Sequence, residues 1–205
     1  MIRRDQKLYD SVQIHTGIAA NTEAEFFQQP LGSSPSQITT GTVATYQKSD
    51  YHSNNVLNGQ LRKGQSMVVR GINIFADITD VNVLKQVLID SKAVFQFWRA
   101  EEKVFQAPVY EMVDIKAVSI SGFADASSTT KAQKFSVAFK GEPFMFKKWG
   151  ITIEELQTLK AKIIFKSAVT FKSFTFDYGS AAANAAYTTE FNLFVSLDVE
   201  ETLAG

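Results

Sequence analysis

The sequence contains no cysteine. That absence excludes disulfides, thiolate metal sites and cysteine nucleophiles. It fits a reducing compartment, or a particle assembled in one. Histidine is almost as scarce, with only His15 and His52. Zinc catalysis generally takes three protein ligands, and these two lack the i, i+4 spacing of a helical metal site. Both therefore read as surface histidines. A Ser-His-Asp triad would have to be built around one of them, and no sequence context supports it. No run of 18 apolar residues is present, so no transmembrane helix is expected. The opening residues, MIRRDQKLYDSVQIHTG, carry Arg3 and Arg4 without an apolar stretch behind them. They do not read as a secretory signal, so any exit from a cell is expected to take another route, such as lysis.

Net charge is also missing. Lysine plus arginine is 21 and aspartate plus glutamate is 21. A neutral chain has no strong field to steer it onto nucleic acid or an anionic membrane, and little self-repulsion to oppose association with its own copies.

What is present is apolar and aromatic. Hydrophobic residues make up 45% of the 205 and charged residues 20%, enough for one well-buried domain and against intrinsic disorder. Phenylalanine occurs 17 times, and aromatic side chains suit pleated, half-buried surfaces. Many of them recur at period 2, the strand period. Phe191, Leu193, Val195 and Leu197 alternate with Asn192, Phe194, Ser196 and Asp198, one apolar face against one mostly polar face. Phe135, Val137 and Phe139 alternate over 134–140. In 167–176 the parity switches between Val169 and Phe171 on one side and Phe174 and Phe176 on the other, which predicts a bulge near Lys172 or Ser173. The long run 65–77 holds Gly71 in its middle, the mark of a bend or bulge. Further strands are expected over 23–27, 42–46, 92–98 and 113–121, a total of about eight.

Two short helices interrupt the pattern. One spans Val81–Ile89, capped by Thr79 or Asp80, with Val81, Leu84, Val87 and Leu88 on its apolar face. The other starts at Thr152, where Glu155 three residues on completes a capping box and Leu156 and Leu159 face the core. The segments 28–42, 121–130 and 178–186 are rich in Ser, Gly, Ala, Thr or Pro and read as surface loops. Residues 1–20 hold scattered apolar side chains (Leu8, Tyr9, Val12, Ile14) without clear period. They are expected to form an N-terminal arm, frayed or docked on a neighbouring copy. Residues 21–205 then form one domain. The fold expected is all-β, an antiparallel β-sandwich.

Chemistry-bearing motifs are absent. There is no GxGxxG, GxxxxGK[ST] or GxSxG. The carboxylate pairs are Glu101-Glu102, Glu154-Glu155 and Glu200-Glu201. Adjacent strand residues point to opposite faces, so such a pair cannot work across a cleft as glycosidase acids do. Glu154-Glu155 falls in the first turn of the expected second helix, where acids favour the dipole. Basic residues cluster at Arg3-Arg4, Arg62-Lys63, Lys147-Lys148 and Lys160, Lys162, Lys166, Lys172. FMFKKWG (Phe144 to Gly150) interleaves rings with charge, as a single-strand nucleic-acid groove does. Overall neutrality favours solvated strand faces instead.

The order of segments resembles the jelly-roll coat proteins of tailless icosahedral bacteriophages, including those with an internal lipid membrane. EAEFFQQPLG (Glu23 to Gly32) looks like the family's first strand and turn. SNNVLNGQLRKGQSMVVRGINIF (Ser53 to Phe75) looks like its polar turn feeding a long strand. VLKQVLIDSKAVFQFWRAEEKVFQAPVYEM (Val83 to Met112) places a short helix before a strand and a hairpin with Pro108. YTTEFNLFVSLDVEE (Tyr187 to Glu201) looks like a closing strand. The family often has two jelly rolls per chain, and 205 residues allow one. The resemblance implies a single jelly roll of about eight strands with two short helices in the connections. It further implies a non-enzymatic, self-assembling capsid subunit, with a penton or minor virion subunit as the variant reading. The implied partners are copies of the chain and other capsid proteins, with no cofactor and no small-molecule substrate. The implied location is the virion, assembled in the host cytoplasm. Phe144, Phe146 and Trp149 are the candidate subunit-interface residues, because Trp and Phe are enriched in interface cores; ordinary core is the alternative. Arg3 and Arg4 are the candidate genome-facing pair, and weak contact with packaged genome or an internal membrane would fall to such an arm. Competing classes are a carbohydrate-binding or adhesin-type sandwich, with Asp77–Asp80 as the acidic loop, a spike protein, and a cupin-type enzyme. The last would need a histidine cluster that two histidines do not supply.

Overall fold

The computed structural model describes residues 2–15, 17–34, 37–38, 47–55, 58–77, 81–113, 115–122, 133–139, 143–147, 149–171 and 191–203. Among these the chain is mostly β. In order it forms β1 (Ile2–Ile14), β2 (Gly17–Ile18), β3 (Thr22–Phe26), β4 (Gln37–Ile38), β5 (Gln65–Ala76) and α1 (Val81–Lys85), which runs into a π-helical turn (Gln86–Asp90). Then come β6 (Val94–Arg99), β7 (Glu102–Pro108), α2 (Val109–Met112), β8 (Ile115–Gly122), β9 (Gln133–Phe139), β10 (Phe144–Met145), β11 (Ile151–Ile153), β12 (Leu159–Phe165), β13 (Val169–Thr170) and β14 (Phe191–Leu203).

The large sheet has the order β10-β5-β14-β1-β4, with β11 also paired to β5. The smaller sheet has the order β3-β12-β6-β7. Apart from the short parallel contact of β4 with β1, the ladders are antiparallel. The two sheets share one core. Val12, Ile14, Met67, Val69, Ile72, Leu193, Val195 and Leu197 come from the large sheet. Ala24, Phe26, Phe95, Phe97, Leu159, Ala161, Ile163 and Phe165 come from the smaller one. Full burial of each phenylalanine contributes about 1.5–3 kcal/mol. The pairs β2·β13 and β8·β9 form separate two-stranded ladders.

The expected strand with Gly71 at its middle is β5, and it does carry a bulge. Asp198 pairs with Gly71 and Val199 with Val69, leaving Arg70 as the extra residue. One extra residue reverses side-chain parity, so Met67 and Val69 point inward before it and Ile72 and Ile74 after it. A Cβ at Gly71 would sit 2.7 Å from Met145 Sδ on the neighbouring β10.

Three expectations are corrected. Residues 2–14 are not an arm: β1 pairs with β14 along its whole length, Ile2 with Leu203 through Ile14 with Phe191. Its period-2 pattern was hidden because Asp10 occupies an inward position between Leu8 and Val12. Asp10 is fully buried, as is the side chain of Lys48, and the two form an ion pair at 2.5 Å. The second Asp10 oxygen accepts the Phe27 amide at 2.6 Å. Second, no helix starts at Thr152. Ile151–Ile153 pairs with β5, and β12 alternates Leu159, Ala161, Ile163 and Phe165 inward with Lys160 and Lys162 outward, a strand period that overrides the capping pattern. Glu155 accepts the Gly64 amide at 2.6 Å rather than a helical one, and Leu156 is exposed. Third, His15 is buried, not on the surface.

The first helix is real, with α1 and its π-helical turn together covering residues 81–90 against the expected 81–89. Its Leu84, Val87 and Leu88 are buried as expected, while the caps Thr79 and Asp80 lie outside the described residues. So do the expected strand 42–46, the bulge near Lys172, and most of the loops 121–130 and 178–186. The loop 28–42 contributes β4, whose Ile38 joins the core.

Gly59 (φ +71°) packs where a Cβ would strike Leu159 O and lie 2.7 Å from Phe27 O. Its amide is held by Asn55 Oδ1 at 3.1 Å, while Asn55 Nδ2 holds Phe27 O at 2.9 Å. Gly59→Ala is expected to cost at least about 2 kcal/mol in guanidinium unfolding. In the same assay Lys48→Met, which strands a buried carboxylate, should cost about 3–5 kcal/mol. The double variant D10N/K48M, which keeps an acceptor for the Phe27 amide, should lose less than K48M alone. A K48M loss under about 1 kcal/mol would mean that the pair is not a desolvated one.

Candidate functional site

The residues singled out in the sequence separate in space. Phe144 and Phe146 form an aromatic cluster with Phe105, at centroid distances of 5.4 and 5.1 Å, and Phe105 reaches Phe95 at 6.3 Å. Phe105 lies on β7 and Phe144 on β10, so the cluster joins the edge of the smaller sheet to that of the large one. Both Phe144 and Phe146 are half-buried against the core. Trp149 is the one that faces solvent, at 83% exposure, with Met145 exposed beside β5. Arg70 donates to Trp149 O at 3.1 Å and fixes that turn.

Arg3 and Arg4 are not free cations on an arm. They sit on β1 and point to opposite faces. Arg3 pairs with Glu200 at 3.6 Å, which also takes Arg70 at 2.7 Å. Arg4 forms an ion pair with Glu201, whose other oxygen accepts the Gln65 amide. Glu201 is fully buried although Glu200 is not, as strand alternation requires. The Arg70 hydrogen bond holds the Glu200 carboxyl below its ordinary range, and the Glu201 hydrogen bond raises Arg4. Lys7 lies 3.7 Å from Asp198. Cations and anions therefore alternate on this face and cancel its field. Beside Arg4 and Glu201 a cleft of about 500 Å³ opens, floored by Leu61, Met67 and Leu159.

The outer face of the smaller sheet is equally self-paired. Lys162 meets Glu23 and Glu25, each at 2.7 Å, and Lys160 lies 3.7 Å from Glu25. This is the solvated lysine face expected from the sequence. The Lys162 hydrogen bond is the main cause of a Glu25 carboxyl below its ordinary range.

A third feature was missed by sequence reasoning. On the outer face of the large sheet Phe75 stacks flat on Phe194, centroids 5.0 Å apart and planes 2° apart. Tyr51 meets Phe194 edge-on at 5.7 Å and donates its hydroxyl to Asp77 Oδ2 at 3.2 Å. Phe194 is buried beneath the other two, while Phe75 is 40% and Tyr51 59% exposed. Burial, then the Asp77 charge, push the Tyr51 phenol up. Asp77 accepts Asn192 N at 2.6 Å and Asn192 Nδ2 at 2.8 Å, anchoring β14. The rings, with Lys7, Asn73 and Asp77, line a hollow of about 440 Å³. The available signal was phenylalanine at the polar parity of two adjacent strands.

His52 stands next to this hollow. Its Nδ1 accepts the Ser49 amide at 3.2 Å and lies 2.9 Å from Ser49 Oγ. Burial lowers its pKa and favours the neutral ring. The contact closes a turn. Among the described residues no three His, Asp or Glu gather to hold a metal ion, and no helix is long and apolar enough to cross a membrane. No family model, curated protein or solved structure matches this chain.

The Glu25 carboxyl should titrate below an ordinary glutamate in carbon-detected NMR, and Lys162→Ala should move it up. Because its folded value is the lower one, its contribution to stability is present above the unfolded carboxylate range. It is lost as pH falls through the folded value.

Proposed function

We propose that this chain is a single jelly roll and a self-assembling capsid subunit of a tailless icosahedral bacteriophage, structural rather than catalytic. The observation that carries the fold is the nesting of strand pairs. In the order β1, β3, β5, β6, β7, β10/β11, β12, β14, the first pairs with the last, the second with the seventh, the third with the sixth and the fourth with the fifth. One long hairpin rolled across a sandwich gives this order, with its pairs dealt alternately to two sheets. Jelly rolls recur in viral capsid and lectin domains, and the segment order along the chain resembles the phage coat proteins.

The surfaces fit a rigid block better than a steered binder. Ion pairs cancel the charge on both outer faces. Partners are copies of the chain and other capsid proteins, and the site of action is the virion. The β8–β9 ladder is inserted between the fifth and sixth strands of the roll. Trp149 is the interface residue retained from the sequence, a large exposed ring at the sheet edge. Arg3 and Arg4, being paired, carry no genome contact in this reading.

Size-exclusion chromatography with light scattering, followed by negative-stain imaging, tests assembly. Discrete trimers, pentamers, hexamers or shells are the expected result. A monomer at every concentration and salt would sink autonomous assembly. Trp149→Ala should weaken self-association about thirtyfold or more, as loss of a hot-spot tryptophan does, with the unfolding midpoint unchanged.

A further inference from the structure

We propose that the hollow over Phe194 is a carbohydrate site, in which a pyranose ring lies against Phe75 and Tyr51. The inference goes beyond the capsid reading and does not need it, because the site is complete within one folded chain.

Three properties of the hollow select this ligand. Its rings are exposed yet already fixed. Phe75 is held by its stack on Phe194, and Tyr51 by its edge contact and its bond to Asp77. Little side-chain freedom remains to be lost on binding. The negative faces of such rings attract the weakly positive C–H face of a sugar. The rim then offers both donors and acceptors. Lys7 is 68% exposed at its side chain, and Asn73 carries an amide. Asp77 has about four lone-pair positions, of which Asn192 and Tyr51 take three. The Tyr51 hydroxyl, donating to Asp77, still accepts. A sugar hydroxyl needs one of each kind. The volume of about 440 Å³ lies in the ~300–1,000 Å³ range of small-ligand clefts.

Other ligand classes fit less well. An anion would meet Lys7 beside Asp198 at 3.7 Å, with Asp77 close by. A flat apolar protein surface would have to desolvate Lys7 and Asp77 against nothing polar, which is costly. A ligand with one apolar face and a belt of hydroxyls satisfies the rings and the rim together.

Affinity electrophoresis of the intact protein through gels containing laminarin, xylan, galactomannan or lipopolysaccharide O-chain tests the assignment. Retardation by at least one polysaccharide is expected. Tyr51→Ala should reduce the binding by about tenfold or more, the equivalent of ~1.4 kcal/mol. It lies in a turn and leaves the Phe75–Phe194 stack intact. Asn73→Ala should reduce binding severalfold, and Trp149→Ala should leave it unchanged. Absence of retardation in all four gels overturns the proposal, as does retardation indifferent to Tyr51→Ala. Loss of self-association in Tyr51→Ala without any polysaccharide binding overturns it too, and gives this face to a second copy of the chain. Failure to assemble, by contrast, bears only on the capsid reading.

Discussion

Residues 2–14 lie antiparallel to residues 203–191 without a break. This ladder joins segments separated by most of the sequence, and it lies inside the large sheet, with β5 on one side and β4 on the other. Everything else in the fold nests inside it: β3 with β12, β5 with β10 and β11, β6 with β7. Such pairing closes long loops before it gains contacts, so its entropy cost comes early and folding of such topologies is slow. In return β14 is covered on both edges and its inward residues from Phe191 to Val199 reach the core.

The same ladder explains why two carboxylates are buried. Asp10 faces inward on β1, and Lys48 meets it from a loop segment. Glu201 faces inward on β14, and Arg4 and Gln65 meet it from the flanking strands. A buried charge is tolerated when paired and hydrogen-bonded, and each here has both kinds of partner. Their yield in stability is small, but each ties a loop or strand end to one position.

Outside the core the two sheets differ. The smaller sheet shows water a lattice of lysine and glutamate that satisfies itself. The large sheet shows alternating ion pairs at one end and the Tyr51, Phe75 and Phe194 rings at the other. The exposed aromatic surface is therefore found at the rings and at Trp149. The sandwich is held by one continuous core and is chemically differentiated at these few surface points.

Strand-like patterning by itself determined β3, β6, β8, β9 and β14 and the all-β class, and the long apolar run interrupted by Gly71 determined β5 and its irregularity, because the strand period and an interior glycine are both written in residue order. It also determined the opposed faces of Glu200 and Glu201. It did not yield β1, since a buried Asp10 reads as polar until Lys48 is placed against it. Nor did it yield β12, where a local capping pattern at Thr152 and Glu155 competed with a strand period that only pairing with β3 and β6 decides. The inward turn of Phe144 and Phe146, the pairing of Arg3 and Arg4, and the hollow over Phe194 likewise belong to tertiary structure alone. Each depends on a partner far away in sequence, and local order encodes which face a side chain takes, not what it meets there.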